Sequence, residues 1–188
     1  MAIKHGVDMD RMKEFVEYAS NNPSEVQFEL QAQAVYDGKC AHSMAKIREY
    51  RLGDKTISRD TREFTIPYGA WKEVLEHAGW VGATDRMEPI EVALSALASC
   101  LNAAITINAL ANGVDIEHLE IRVHSEFNPA VLFGIQDLDA RDTVFSNIRA
   151  EIECEGADRE QIEEWVQRSP VYTLTSLEQD IQFDIEAK

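Results

Sequence analysis

A chain of 188 residues, 45% of them hydrophobic, is long enough to bury one sizeable core but short for two, so we expect one domain. Its formal net charge of -16 argues against nucleic acids and anionic membrane surfaces as partners, because both are bound by clustered Lys and Arg. Three cysteines without a Cys-x-x-Cys spacing predict no metal site and no disulfide framework, and we expect no cofactor. With no secretory signal after the first residues, we expect a cytoplasmic protein.

The first 25 residues predict a helical extension in front of a single main domain, which we place at residues 26–188. Between Asp8 and Ser20, apolar residues recur three or four positions apart, which marks one face of a short helix. Pro23 prevents that helix from continuing.

A three-stranded meander is predicted next. Apolar residues alternate with Gln and Glu over residues 26–36, a period of two that is typical of a half-buried strand. Asp37-Gly38 predicts a tight hairpin turn, with the chain returning antiparallel over 41–52 and a third strand near 62–66. The next segment, residues 67–85, begins with a proline and holds a short amphipathic helix between glycines. We interpret this segment as an insertion or a flap.

One long helix is predicted between Pro89, which suits helix position N1, and Gly113, which suits a left-handed C-terminal cap. Its residues are nearly all apolar or small, so protein or lipid has to cover it. Four polar side chains argue against lipid, because a membrane span needs about 20 residues almost free of such groups. We expect a buried helix in a soluble protein, covered in part by dimerisation.

The remaining pattern predicts an α+β fold. Two strands alternate near residues 119–125 and 148–154, with a long connection between them. A helix over 157–168 and a last strand over 181–185 follow. Cys154 shares the apolar face of the second strand, so core packing is its predicted role.

Cys100 lies halfway along the long helix. A free cysteine is commonly buried without any function. A reactive thiol needs a nearby cation or donor that favours its thiolate. The helix dipole fades within the first turn, so such a partner has to come from another segment.

Several segments carry a resemblance to a known family. They are Gly82-Ala83-Thr84-Asp85, Pro89-Ile90-Glu91, Ala93 to Cys100, and Arg168-Ser169-Pro170-Val171-Tyr172. These resemble the motifs of the osmotically inducible protein C / organic hydroperoxide resistance (OsmC/Ohr) family, over roughly Val26 to the C-terminus. The resemblance implies an OsmC-like α+β fold in which antiparallel sheets pack on long buried central helices, in an intertwined homodimer with two sites at its interface.

The resemblance also implies a chemistry, that of a thiol peroxidase in the oxidative-stress response. Cys100 would attack the O–O bond of an organic hydroperoxide and become a sulfenic acid. In the family a second cysteine then captures it as a disulfide, but Ser169 stands in that place and a hydroxyl cannot form a disulfide. An external thiol or dithiol would have to reduce Cys100, or Cys40 beside the hairpin turn would resolve it.

Two further positions depart from the family pattern. The usual glutamate, ten residues before the cysteine, is Ile90 here, and Glu91 lies one residue later, about 100° around the helix. The usual hairpin arginine falls within residues 39–42, where His42 or Lys39 would supply the charge. Each candidate also has an ordinary interpretation. Glu91 suits any first helical turn, His42 suits an exposed or hydrogen-bonded strand position, and Ser169 suits a helix-ending Ser-Pro.

Three functions therefore stay open. The first is a hydroperoxide reductase, an oxidoreductase that works with the single redox cysteine Cys100. The second is a non-catalytic protein of the same fold that binds a small apolar ligand at the dimer interface. The third is a dimeric scaffold whose acidic surface faces a basic partner.

Overall fold

The computed structural model describes residues 3–186, and the chain divides into two compact units, Met1–Pro89 and Ile90–Lys188. Each unit has its own helices and sheets. The single domain over residues 26–188 and the extension before it stay predictions.

The first unit begins with a small antiparallel hairpin and a helix, which are β1 (Ile3–Lys4), β2 (Val7–Asp8) and α1 (Met9–Asn21). The Asp8 carboxylate caps α1 by accepting hydrogen bonds from the backbone N–H groups of Asp10 and Arg11. A short 3-10 turn over Pro23–Val26 follows. The N-terminal helix predicted from the apolar spacing is confirmed.

Two three-stranded antiparallel sheets form the rest of this unit, together with helix α2 (Lys72–His77). One sheet has the order β4–β5–β8, with β4 (Gln33–Tyr36), β5 (Ser43–Ile47) and β8 (Phe64–Tyr68). The other has the order β3–β6–β7, with β3 (Phe28–Glu29), β6 (Tyr50–Leu52) and β7 (Lys55–Ile57).

The predicted meander is present, with two corrections. The strand predicted over residues 26–36 is divided, because Phe28–Glu29 pairs with β6 whereas Gln33–Tyr36 pairs with β5. Pro67 does not end the third strand, since β8 continues to Tyr68. Because β8 is an edge strand, proline's missing N–H leaves the ladder to β5 intact.

The second unit is built on the long helix α3 (Pro89–Ala111), which spans about 35 Å. After it come β9 (His118–Phe127), β10 (Phe145–Glu155), α4 (Arg159–Val166) and α5 (Pro170–Ser176). A 3-10 segment, Leu138–Thr143, lies in the connection between the two strands. Gly113 has a φ of +73°, the left-handed conformation predicted for the end of α3. Ile105, Ala109 and Trp165 are the buried centre of this unit.

Strands β9 and β10 form an antiparallel pair with one irregularity. Ser146 pairs with Glu126 and Arg149 pairs with His124, so β10 has one more residue than β9 at this point. Asn147, inside this bulge, has a φ of +51°.

Helix α3 is covered on one side only within the described chain. Six of its 23 residues are buried, which are Leu97, Leu101, Ala104, Ile105, Ala109 and Leu110. Ile107, by contrast, is 57% exposed. By length and composition α3 could cross a membrane, although the core helix of a soluble protein meets the same criteria.

The C-terminal part differs from its prediction. The strand predicted over residues 181–185 is wrong for the described chain, where no strand lies between residues 177 and 186. The alternating apolar side chains there find no neighbouring strand to pair with, and they are exposed. A further helix, α5, follows α4, because Pro170 occupies position N1 of a new helix rather than a stop.

Candidate functional site

Cys100 lies near the middle of α3 and is half-buried. Leu97 and Leu101, which precede and follow it along the helix, are both buried. Both leucines line a groove in the second unit, with a volume of about 480 Å³. Cys100 itself is not among the described residues that line this groove, although it lies on the same helix between two residues that do.

This groove is formed by α3, β9, β10 and α5, and most of its surface is apolar. Among the lining residues are Ile90 and Leu94 on α3, Phe145 and Ile148 on β10, and Tyr172 on α5. Among residues 3–186, Arg149 is the one charged residue that lines the groove. Its guanidinium pairs with Glu151 at 3.2 Å. A cavity of this size and lining suits a small apolar molecule.

Glu91 is exposed in the first turn of α3. Cys100 lies nine positions further along the helix, which corresponds to about 13.5 Å along the axis and about 180° around it. The two side chains therefore leave the helix on opposite sides. The helix that carries both does not bring this predicted acid to the thiol.

Ser169 has a structural role. It is completely buried, at 0% exposure, and it is the N-cap of α5. Its hydroxyl oxygen accepts a hydrogen bond from the backbone N–H of Tyr172 at 3.2 Å, and its carbonyl accepts from the Thr173 hydroxyl. Ser169 therefore begins a helix, whereas its ordinary interpretation is that Ser-Pro ends one, and its place in the catalytic site stays a prediction.

His42 ends a six-residue turn between β4 and β5 in the first unit. The predicted two-residue turn at Asp37-Gly38 is wrong, because Tyr36 pairs with Ser43 and the whole segment 37–42 bridges the strands. Gly38 has a φ of +92° and Ala41 a φ of +63°, so the turn bends twice through the left-handed region. Ala41 carries strain there, since residues with a Cβ rarely adopt it.

The His42 side chain is buried, with 3% exposure, and its Nε2 has no hydrogen-bond partner among residues 3–186. The ordinary interpretation, an exposed or hydrogen-bonded histidine, is therefore wrong for this atom. Burial, and the positive charges of Arg86 and Lys39, lower the pKa of His42 below its usual value.

Three residues of the loop after α2 hold this turn. The Arg86 Nη1 donates to the Asp37 carboxylate at 2.6 Å, and this bond lowers the pKa of Asp37. The Trp80 indole donates to the Cys40 carbonyl at 3.0 Å, and the Gly82 carbonyl accepts from the Lys39 ammonium. We name the turn 37–42 together with Arg86 the hairpin cluster.

The sequence missed Arg86 as a member of this cluster. No arginine occurs within residues 39–42, yet a guanidinium reaches the turn from a position 49 residues after Asp37. Neither periodicity nor motif spacing predicts that Arg86 pairs with Asp37. Only the folded structure brings the two residues together.

The three cysteines lie in different surroundings. Cys40 is exposed in the turn, while Cys100 and Cys154 are half-buried. Burial raises the pKa of the Cys154 thiol, which favours its neutral form and agrees with a packing role. No disulfide links any of the three.

Comparison with known proteins places these features in a family context. The model of a family described as OsmC-like protein matches residues 82–186. A crystal structure of an OsmC like protein from Mycoplasma pneumoniae is 17% identical, with a TM-score of 0.46 over 79% of this chain and 87% of that chain. An OsmC-like protein of unknown function from Vibrio cholerae is 12% identical, with a TM-score of 0.49 over 80% and 95% of the two chains. No curated protein matches.

Proposed function

Since this chain belongs to the OsmC-like protein family, we propose that it is a thiol-dependent organic hydroperoxide reductase that works with Cys100 alone. One observation carries the proposal: Cys100 is half-buried on α3, beside Leu97 and Leu101, which line an apolar groove that Cys100 itself does not line. A half-buried thiol is open to a small molecule, whereas a fully enclosed thiol is not.

The proposed reaction transfers two electrons from sulfur to the peroxide. The Cys100 thiolate attacks the terminal oxygen, the S–O bond forms as the O–O bond breaks, and the departing alkoxide takes up a proton to leave as an alcohol. Cys100 is then a sulfenic acid. One external thiol displaces water from it to give a mixed disulfide, and a second external thiol releases the reduced Cys100 and a disulfide.

The groove accounts for a preference for organic over hydrogen peroxide. Its apolar lining favours the organic group of the substrate, because burying that group removes apolar surface from water. Ser169 takes no part in electron transfer in this scheme, because its buried hydroxyl caps α5. Glu91 and His42 stay predicted contributors whose substitution has to be tested.

A homodimer in the cytoplasm is part of the same proposal. The exposed side of α3 has small side chains, among them Ala96, Ser99 and Ala103, beside the exposed Ile107. Such a surface lets a second helix approach closely, and burying it against that helix stabilises the pair. A second copy of the chain is the proposed cover.

A second candidate function is supported by the positions of Ser169 and Glu91. Ser169 caps helix α5, and the Glu91 side chain leaves α3 on the side opposite Cys100. A chain that has kept the groove without these partners would bind a small apolar ligand and leave it unchanged. Cys100 would then be a packing residue.

Intact-mass measurement after one equivalent of tert-butyl hydroperoxide separates the two functions. The reductase predicts a gain of one oxygen, or a loss of two hydrogens, in the wild type and in Cys154→Ser, and no change in Cys100→Ser. The Cys40→Ser variant reports whether that thiol resolves the sulfenic acid. An unchanged wild-type mass, with the groove still binding an apolar fluorophore, would sink the reductase and leave the binding function.

A further inference from the structure

We propose that the hairpin cluster is a binding site for a small oxyanion, in which Arg86 and Lys39 supply the positive charge and the Nε2 of His42 supplies a hydrogen bond. The proposal goes beyond the reductase, because it concerns side chains of the first unit alone. Nothing in it depends on whether Cys100 reacts.

The buried imidazole is the first argument. His42 is 3% exposed, and its Nε2 has no hydrogen-bond partner among residues 3–186. Buried polar atoms in folded proteins are almost always hydrogen-bonded, because a missing bond leaves their desolvation uncompensated. A ligand that accepts a hydrogen bond from Nε2 removes this cost, and the turn has to open to admit it because the atom is enclosed.

The charged groups around the imidazole determine whether a ligand here is an anion or a cation. The charged groups that act on His42 are Arg86, Lys39 and Asp37, which together carry one net positive charge. This local excess stands out in a chain with a net charge of -16. One net positive charge beside the imidazole disfavours a metal ion and favours an anion.

An ion pair and two hydrogen bonds hold the turn around the imidazole. Asp37 and Arg86 are joined at 2.6 Å, with side chains that are 20% and 25% exposed. Trp80 and Gly82 fix the turn through the Cys40 carbonyl and the Lys39 ammonium. Strained turns such as this one, with Ala41 at a φ of +63°, are found where the surrounding structure fixes a functional geometry.

Gly69 lets Arg86 pack closely. A Cβ at position 69 would lie 2.9 Å from the Arg86 Cβ, so any larger residue would displace the arginine. The guanidinium has five N–H donors, and its contacts with the Asp37 carboxylate and the Tyr68 carbonyl both involve Nη1. A planar group of this kind recognises the oxygens of a carboxylate, sulfate or phosphate.

Anion binding at this site is linked to a proton. The two cations disfavour the charged imidazole, and a bound anion would favour it, so binding raises the pKa of His42. By linkage, affinity for the anion increases as pH falls, and the protein takes up protons when it binds. A simple surface cluster of Lys and Arg would show no such coupling.

Inorganic sulfate is the probe, because its charge is constant through the titration range of histidine. The side-chain nitrogen resonances of His42 are followed by NMR in the full-length protein as sulfate replaces chloride at constant ionic strength. We expect a saturable shift at Nε2, a raised pKa for His42 and tighter binding at lower pH. A response to sulfate that equals the response to chloride overturns the proposal.

Variants assign the site. His42→Gln is expected to weaken sulfate binding about tenfold and to remove its pH dependence, in line with the loss of one charge-assisted hydrogen bond. Arg86→Lys keeps a positive charge for Asp37 and so protects the fold, while the loss of the planar fork weakens binding. Arg51→Gln, which removes an exposed arginine paired with Glu29 in the same unit, is the matched control and should bind as the wild type does. Equal affinity in His42→Gln and Arg51→Gln contradicts the assignment.

Discussion

The two units differ in how much apolar side chain they bury: of the eight buried hydrophobic residues in the described chain, seven lie in the second unit and Leu75 lies in the first. In the second unit, Ile105, Ala109 and Trp165 form an apolar centre against which partly buried residues of α4 and both long strands pack. In the first unit, a deeply buried side chain is the imidazole of His42, beside the Asp37–Arg86 ion pair. Apolar burial stabilises a fold without regard to direction, whereas a buried polar group is tolerable only when its partners are placed correctly. The second unit is therefore expected to respond to changes in volume and the first to changes in charge.

The largest expected effect is in the second unit, at Gly156. A Cβ there would lie 1.9 Å from the Asp115 carbonyl oxygen, at a φ of +109° that residues with side chains rarely adopt. Gly156→Ala should lower the free energy of unfolding by more than about 4 kcal/mol, since backbone has to move. Gly134→Ala is the control, because its φ of +66° is similar in kind while nothing lies within 4 Å of its Cβ. Urea denaturation that finds equal losses in both would contradict the close approach.

Substitutions at two isoleucines on α3 compare a buried position of this helix with an exposed one. Ile105 is 0% exposed, whereas Ile107 is 57% exposed. Ile105→Ala should cost about 2–5 kcal/mol of stability through lost burial and a cavity. Ile107→Asp should leave the fold of one chain intact and weaken the proposed dimer, as measured by light scattering after gel filtration. A monomeric wild type, or an Ile107→Asp variant that dimerises as tightly as the wild type, would remove the support for a second copy on this face.

The expected effect in the first unit is one of charge and depends on pH. The pKa of His42 is lowered in the folded protein, so the unfolded chain binds a proton at a higher pH than the folded chain does. Stability from this group is therefore complete above the unfolded pKa of about 6.5 and is lost as pH falls below it. Thermal melts between neutral and mildly acidic pH should show a smaller loss of stability in His42→Gln than in the wild type. Parallel pH profiles for the two proteins would count against a buried neutral imidazole.

The smallest expected effect is at an ion pair on the protein surface. Arg159 and Glu163 form an exposed pair one turn apart on α4, at 2.6 Å. Glu163→Gln should change stability by about 0.5 kcal/mol or less, because solvent screens such pairs. Chemical denaturation with a loss of several times that size would show that surface charge has an unexpected weight in this protein.

Much of the fold could be predicted from periodicity and end signals. Asp8 and Pro23 bound α1, Pro89 and Gly113 bound α3, and the alternation of 119–125 marks β9, because each signal lies within the segment that it shapes. Failures came where distant residues decide. The strand over 181–185 needs a neighbouring strand, and alternation alone supplies none.

The site was predictable to a lesser degree. The resemblance to the OsmC family is confirmed, and it drew attention to Cys100. It also carried Glu91 and Ser169 as candidates, yet a rotation of about 180° around α3 separates the first from Cys100, and a helix cap occupies the second. The Asp37–Arg86 bond could not be predicted, because it joins residues 49 positions apart with no shared motif.

The extra residue in β10 determines which face of the strand the side chains before it occupy. Phe145 lies before the bulge, and Ile148 and Ala150 lie after it, yet all three line the same groove. Without the bulge, strict alternation would place Phe145 on the opposite face from the other two. Loss of one residue at Asn147 would remove the bulge and keep every apolar side chain on its present face, whereas a loss at a position further along would invert part of the strand. Soluble yields from single deletions along β10 should therefore be highest at Asn147, so the irregular point is where the strand can best change its length.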